Sequence, residues 1–275
     1  MAFTNQRQTG ARGMIPQDAI NQWRKTAPWP QNIQVEQDLI LSRALVEIFQ
    51  DEGVSKSLVL RGGTALHKLF VDKPMRYSED IDLVQNTQGP IGPILDGLRD
   101  RLDPFLGKPR RERNPGTITL LYRMESEISP VVPLKLKVEI NSREHFDVFG
   151  IIEKRFEVKS SWFNGEAKVK TYTTEELLGT KLRALYQRRK GRDLFDLWVA
   201  LGMKSVQPAK IVETFRRYMK EGKTAVTKKE FKKNLEEKMG MDVFHNDLRP
   251  LLVDSVKYDA NKAAEVVTEK LLNIL

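Results

Sequence analysis

The chain has 275 residues, no cysteine and a formal charge of +9, with 46 Lys and Arg against 37 Asp and Glu. The lack of cysteine excludes disulfides, thiolate nucleophiles and cysteine-type zinc sites. No apolar run approaches the roughly 18 residues of a membrane span, and the opening MAFTNQRQTGARG has no apolar signal core, so a cytoplasmic protein without membrane contact is expected.

Hydrophobic residues make up 40% of the chain, enough for a sizeable core in one large domain or two lobes. The charge is uneven. Residues 1–150 carry 20 basic against 19 acidic side chains, whereas residues 151–275 carry 26 against 18. A basic second half suits a polyanionic partner such as RNA; the plainer alternative is a solvated lysine-rich surface.

In chain order, residues 1–32 read as a polar arm with Pro16, Pro28 and Pro30 and one short helix around Gln17–Lys25. Leu41, Leu45, Ile48 and Phe49 give residues 33–51 a helical period. Val54–Leu60 reads as a short strand ending at Gly62-Gly63, followed by a helix over Thr64–Phe70. Ile81–Val84 is a second strand, Ile94–Leu106 a helix, and Thr117–Met124 and Pro133–Asn141 are strands. In the last of these, Leu134, Leu136, Val138 and Ile140 alternate with Lys135, Lys137 and Glu139. Beyond about residue 160 the pattern turns helical. Thr173-x-x-Glu176 opens a helix to about Arg189, and Asp193–Leu201 resumes after Gly191. Thr227-x-x-Glu230 caps another, and residues 259–274 form a last amphipathic helix. The division expected is an arm (1–32), an α/β lobe (33–160) and a basic helical lobe (161–275).

The stretch from Leu58 to Val84 carries the chemistry. A strand running into Gly62-Gly63 suits a phosphate, because glycines allow close backbone approach and the N–H groups of the next helix point at the anion. Asp80 and Asp82, one residue apart on a strand, share one face. Two hard oxygen ligands suit Mg²⁺, which binds through carboxylates and substrate phosphates. Glu139, on the polar side of its strand, is the best third acid for such a centre. Plainer alternatives are that Asp80 caps a turn and that Glu139 pairs with Lys135 or Lys137. Lys181 either reaches a bound nucleotide or lies on a helix surface. Asp193 and Asp196 share a helical face; Asp193 alone could serve as an N-cap. Asp196, among Leu194, Phe195, Leu197 and Trp198, needs a partner, for which Lys181 or an arginine would serve. His67 reads as structural. Neither a Gly-x-Ser-x-Gly elbow nor a Walker A sequence is present.

Gly62-Gly63-Thr64-Ala65-Leu66, Arg76-Tyr77-Ser78-Glu79-Asp80-Ile81-Asp82-Leu83, Val138-Glu139-Ile140-Asn141 and Lys181 … Arg192-Asp193-Leu194-Phe195-Asp196-Leu197 together resemble the AbiEii / MenT nucleotidyltransferase-like toxins of bacteria, within the DNA polymerase β-like superfamily. The resemblance runs from about residue 35 to about 255 and takes in His245-Asn246-Asp247-Leu248-Arg249-Pro250. It implies a bilobed α+β fold, with a mixed-sheet nucleotidyltransferase lobe followed by a mostly helical lobe. It also implies transfer of a nucleoside monophosphate from an NTP to the 3′ end of tRNA, with Mg²⁺ as cofactor. Aminoacylation and growth would stop, and a cognate antitoxin would oppose the enzyme. By the same resemblance Asp80, Asp82 and Glu139 hold the metal, with Lys181 and Asp196 completing the catalytic set. Gly62, Gly63, Thr64, Ser78, Lys181 and Asp193 bind the nucleotide, and Ser78 is a regulatory phosphorylation position. The sixteen residues between Gly63 and Asp80 exceed the spacing in many small members of the superfamily, so the base preference is not carried over. Other outcomes weighed are a small-molecule or protein acceptor, and a non-catalytic nucleotide- or RNA-binding module.

Overall fold

A computed structural model describes residues 15–275; the first fourteen residues of the expected arm lie outside it. The first described elements are α1 (Gln17–Trp23) and α2 (Asn32–Gln50). Trp23 and Trp29 turn inward and donate their indole N–H groups to Asp38 of α2, at 2.8 and 3.0 Å. This part of the arm is therefore packed against α2.

The next elements are α3 (Glu52–Ser55), β1 (Leu58–Arg61), α4 (Gly62–Leu69), β2 (Asp80–Gln85) and α5 (Gly92–Leu106). The strand expected over Val54–Leu60 is shorter than its apolar pattern suggests. Asp51 accepts a hydrogen bond from the Val54 amide and caps α3 there, which leaves only Leu58 onward extended. Then come β3 (Arg110–Asn114), β4 (Thr117–Glu125), β5 (Pro133–Asn141), β6 (Ile151–Lys159) and β7 (Asn164–Tyr172). These strands form one mixed sheet in the order β3-β4-β5-β2-β1-β7-β6. The β2–β5 and β1–β7 pairs are parallel and the others antiparallel.

The helical pattern expected from residue 160 starts later, because β7 extends the sheet to Tyr172. Ala167 and Val169 face inward there, alternating with the exposed Glu166 and Lys168, the period of a half-buried strand. The helices that follow are α6 (Thr174–Gln187), α7 (Gly191–Leu201), α8 (Pro208–Glu221), α9 (Lys228–Met239), α10 (Asp242–Asn246) and α11 (Ala260–Lys270). Thr173 and Thr227 cap α6 and α9, each accepting from the amide three residues on; Glu230 closes a capping box, whereas Glu176 accepts from the Val148 and Phe149 amides instead.

Two hydrophobic cores result. One joins α1, α2 and α5 to a face of the sheet through Leu39, Leu45, Leu98, Leu136, Val138 and Ile140. The other joins α6 to α11 and takes Leu66 of α4 as its contribution from the first half of the chain. The molecule is thus α+β, with a mixed-sheet lobe followed by a helical one. Among the described residues no helix is long and apolar enough to cross a membrane.

Candidate active site

The sheet face opposite α2 carries the expected acids. Asp82 lies opposite Arg61 at the end of β1, and the β2–β5 register sets Asp80 beside Lys137 and Asp82 beside Glu139. Because side chains alternate, all four of these β2 and β5 groups project from one face. They are about one-third exposed where that can be read from their ion pairs: 33% for Asp80, 35% for Lys137 and 34% for Glu139.

Gly62 turns β1 into α4 with φ at +79°, and a side chain there would collide with the Asp82 carboxylate. Both constraints call for glycine. Gly63 backs onto the Arg76 guanidinium in the same way. No side chain caps the start of α4, so its first amide groups keep their donor capacity for an anion. Thr64 fixes the turn to β2, its hydroxyl donating to the Asp80 carbonyl at 2.5 Å and accepting from the Ser78 hydroxyl at 2.9 Å.

These surface charges are poorly balanced. Burial, reinforced by repulsion from Asp82 and Glu79, pushes the Asp80 carboxyl up to about 6 in spite of Lys137. Lys137 places its ammonium 3.1 Å from Glu139 and 3.6 Å from Asp80. As they stand, no three acidic or histidine side chains converge on one point among the described residues. The donor set still fits a hard divalent cation, since three carboxylates share a face beside uncapped amides and one of them holds its proton too tightly for a solvated acid.

A second constellation lies beneath, built on two buried carboxylates, Asp193 and Asp196. The Asp196 carboxylate receives both forks of Arg76, at 2.6 and 2.7 Å, His67 Nε2 at 2.8 Å and Lys181 Nζ at 2.8 Å. Since a carboxylate only accepts, His67 Nε2 carries the proton. Burial and the adjacent Arg76 pull the His67 pKa down, and its buried Nδ1 has no partner. Asp193 accepts from Lys181 at 3.2 Å and from Arg188 at 2.6 and 2.8 Å. Burial alone would raise both carboxyls. Arg76 and Lys181 outweigh it at Asp196, Lys181 and Arg188 at Asp193, and both pKa values fall.

The sequence-predicted residues therefore fall into two groups. Asp80, Asp82 and Glu139 meet on the sheet face, with Gly62, Gly63, Thr64 and Ser78 at the turn. Lys181, Asp193 and Asp196 meet in the buried network, where Lys181 bridges the two acids rather than standing on a helix surface. Arg76 links the groups, holding Asp196 while pressed against Gly63. Sequence reasoning passed over Arg76 and Arg188, set His67 aside, and raised Lys137 only as an ion-pair partner of Glu139, which it is at 3.1 Å. It also missed Glu144, which pairs with both Arg61 and Arg183 beside the turn. Only Lys137 left a signal, being two residues before Glu139 and so on the same face.

A glycine turn backing onto paired aspartates, in a mixed sheet followed by a helical lobe, defines a nucleotidyltransferase. Residues 43–266 match the model of the family described as nucleotidyl transferase AbiEii toxin of type IV toxin–antitoxin systems, and the chain belongs to that family. Among solved structures it resembles JHP933 from Helicobacter pylori, with 16% identity and a TM-score of 0.53 over 90% of this chain and 93% of that one. It also resembles a putative nucleotidyltransferase from H. pylori, with 15% identity and a TM-score of 0.50 over 94% and 96%. These two likenesses speak for the fold alone. MenT4, a nucleotidyltransferase toxin from Mycobacterium tuberculosis H37Rv, aligns more loosely, with 11% identity and a TM-score of 0.49 over 86% and 88%. The comparison with curated proteins gave no match.

Proposed function

We propose that this toxin transfers a nucleoside monophosphate from an NTP to the 3′ end of tRNA in the cytoplasm, blocking aminoacylation and growth until its antitoxin intervenes. The observation that carries the reading is the incompletely neutralised carboxylate set facing the open side of the glycine turn. Asp80, Asp82 and Glu139 would hold Mg²⁺, which when bound neutralises triphosphate charge and favours departure of pyrophosphate. The amides at the start of α4, from Gly62, Gly63 and Thr64, bind a phosphate of the NTP. Glu139 accepts the proton of the attacking 3′-hydroxyl. Lys181, Asp193 and Asp196 serve by position, keeping Arg76 against Gly63 so that the turn keeps its shape. Catalysis of this kind rests on alignment and charge compensation. RNA as acceptor is supported by the +8 balance of residues 151–275 against +1 for residues 1–150.

Ser78 deepens the reading. Its hydroxyl supports Thr64 two residues before Asp80, so a phosphate there would break that contact and repel the triphosphate. Intact-mass analysis of the toxin recovered with its antitoxin should show an added phosphate, absent from Ser78→Ala; an unmodified toxin would remove this role.

The primary test is incubation with each α-labelled NTP, Mg²⁺ and total tRNA, resolved on a denaturing gel. Label on tRNA from wild type, lost in Asp80→Ala, is the expected result. A labelled low-mass product in place of tRNA would move the acceptor to a small molecule. No labelled product from any NTP would overturn the transfer reading.

A further inference from the structure

Lys137 is a cation already seated where the carboxylates of the sheet face would take up a metal. It stands opposite Asp80 in the β2–β5 register, two residues from Glu139 on the same strand, and its ammonium contacts both acids. Asp80 and Glu139 each gain a counter-charge from it. A divalent ion binding the same oxygens must move the ammonium aside, since two cations sharing one pair of carboxylates repel strongly at such distances.

Resting on the nucleotidyltransferase reading, we propose that Lys137 is an internal competitor of the divalent metal, weakening capture of the bare ion and favouring capture of metal together with triphosphate. The reason lies in where the displaced ammonium goes. With bare metal, it must leave two carboxylates for solvent beside a new positive charge. With a metal–triphosphate complex, phosphate oxygens arrive with the ion and receive it. Lysine suits this exchange because its charge is a compact point on a flexible four-carbon stem. The side chain is about one-third exposed, so it can swing without disturbing the apolar core on the other face of β5.

Mn²⁺ binding, followed by electron paramagnetic resonance of the free ion, tests this without reference to turnover. The full chain is compared with Lys137→Met, Lys137→Gln and Lys135→Met, with and without inorganic tripolyphosphate. Lys135 lies on the same face of β5 and is exposed, so its variant controls for net charge. Removing Lys137 is expected to tighten Mn²⁺ binding about five- to tenfold in the absence of tripolyphosphate, the range for loss of two partly exposed ion pairs. It should also shrink the strengthening that tripolyphosphate gives. Unchanged or weaker binding in both Lys137 variants overturns the proposal, as does equal tightening in Lys135→Met. Asp80→Asn separates this failure from a larger one. If it abolishes Mn²⁺ binding while the Lys137 variants match wild type, the metal site stands and the competitor role falls. If wild type binds no Mn²⁺ with or without tripolyphosphate, both fall.

Discussion

The two clusters of charge in this molecule follow opposite rules. On the sheet face, Asp80 and Glu139 share one lysine and keep about a third of their surface in water, Asp82 stands beside them, and Asp80 holds its proton up to about pH 6. In the interior, Asp193 and Asp196 are matched by Arg76, Lys181 and Arg188, and their carboxyls are held below the usual range. The interior carboxylates are fully matched and specify shape. The surface cluster lacks compensation, which a ligand can supply.

Each prediction can break that contrast. The largest effect belongs to the surface: Asp82→Asn should lower transfer by about a thousandfold, in the range for losing one electrostatic contributor, with little change in melting temperature. A matching loss of stability would show that the surface acids are also structural. Asp196→Ala reverses the pattern. It leaves the Arg76 guanidinium buried without its carboxylate and Lys181 with Asp193 alone, and should cost about 3–5 kcal/mol in urea unfolding. A cost under about 1 kcal/mol would mean that the network is not what holds Arg76 in place. Gly62→Ala lies between the two. It forces a side chain into φ +79° and onto the Asp82 carboxylate, so transfer should fall about 10- to 100-fold with a loss of about 1–3 kcal/mol.

The smallest effect is in pH, where the clusters have opposite signs. Asp80 binds its proton more tightly folded than unfolded, so its contribution to stability declines as pH rises from about 4 to about 6. Asp80→Asn should therefore melt about 2 °C higher than wild type at pH 7 and match it near pH 4. Asp193 and Asp196 bind theirs less tightly when folded. Their stabilisation is present above pH 4 and lost below it, so wild type should unfold in acid through the interior network. A variant that gains nothing at pH 7 would place Asp80 in an ordinary solvated setting.

Legibility in the sequence followed the reach of local rules. The glycine turn, the paired aspartates and the face of Glu139 needed only strand alternation and short spacing. That Asp196 required a basic partner was also legible from its apolar neighbours. Arg76 as that partner was not, because 120 residues separate the two and no periodicity relates them. The β6–β7 hairpin went unread for a different reason. Its alternation is diluted by lysines and glutamates on the exposed face, and the capped helix after Thr173 dominated the window. Lys137 had a readable position, but its contact with Asp80 depends on the parallel pairing of β2 with β5.

Arg76 has a further attachment. The backbone on either side of it pairs with the stretch around Leu252: the Tyr77 amide donates to Leu251 at 2.7 Å, and the Val253 amide donates to Met75 at 3.1 Å. The segment that supports the glycine turn is therefore finished by chain made some 175 residues later. On the ribosome, the backbone beside Arg76 would lack this pairing until residue 253 had emerged. The support of the turn is therefore among the last parts of the fold to be completed as the chain is made.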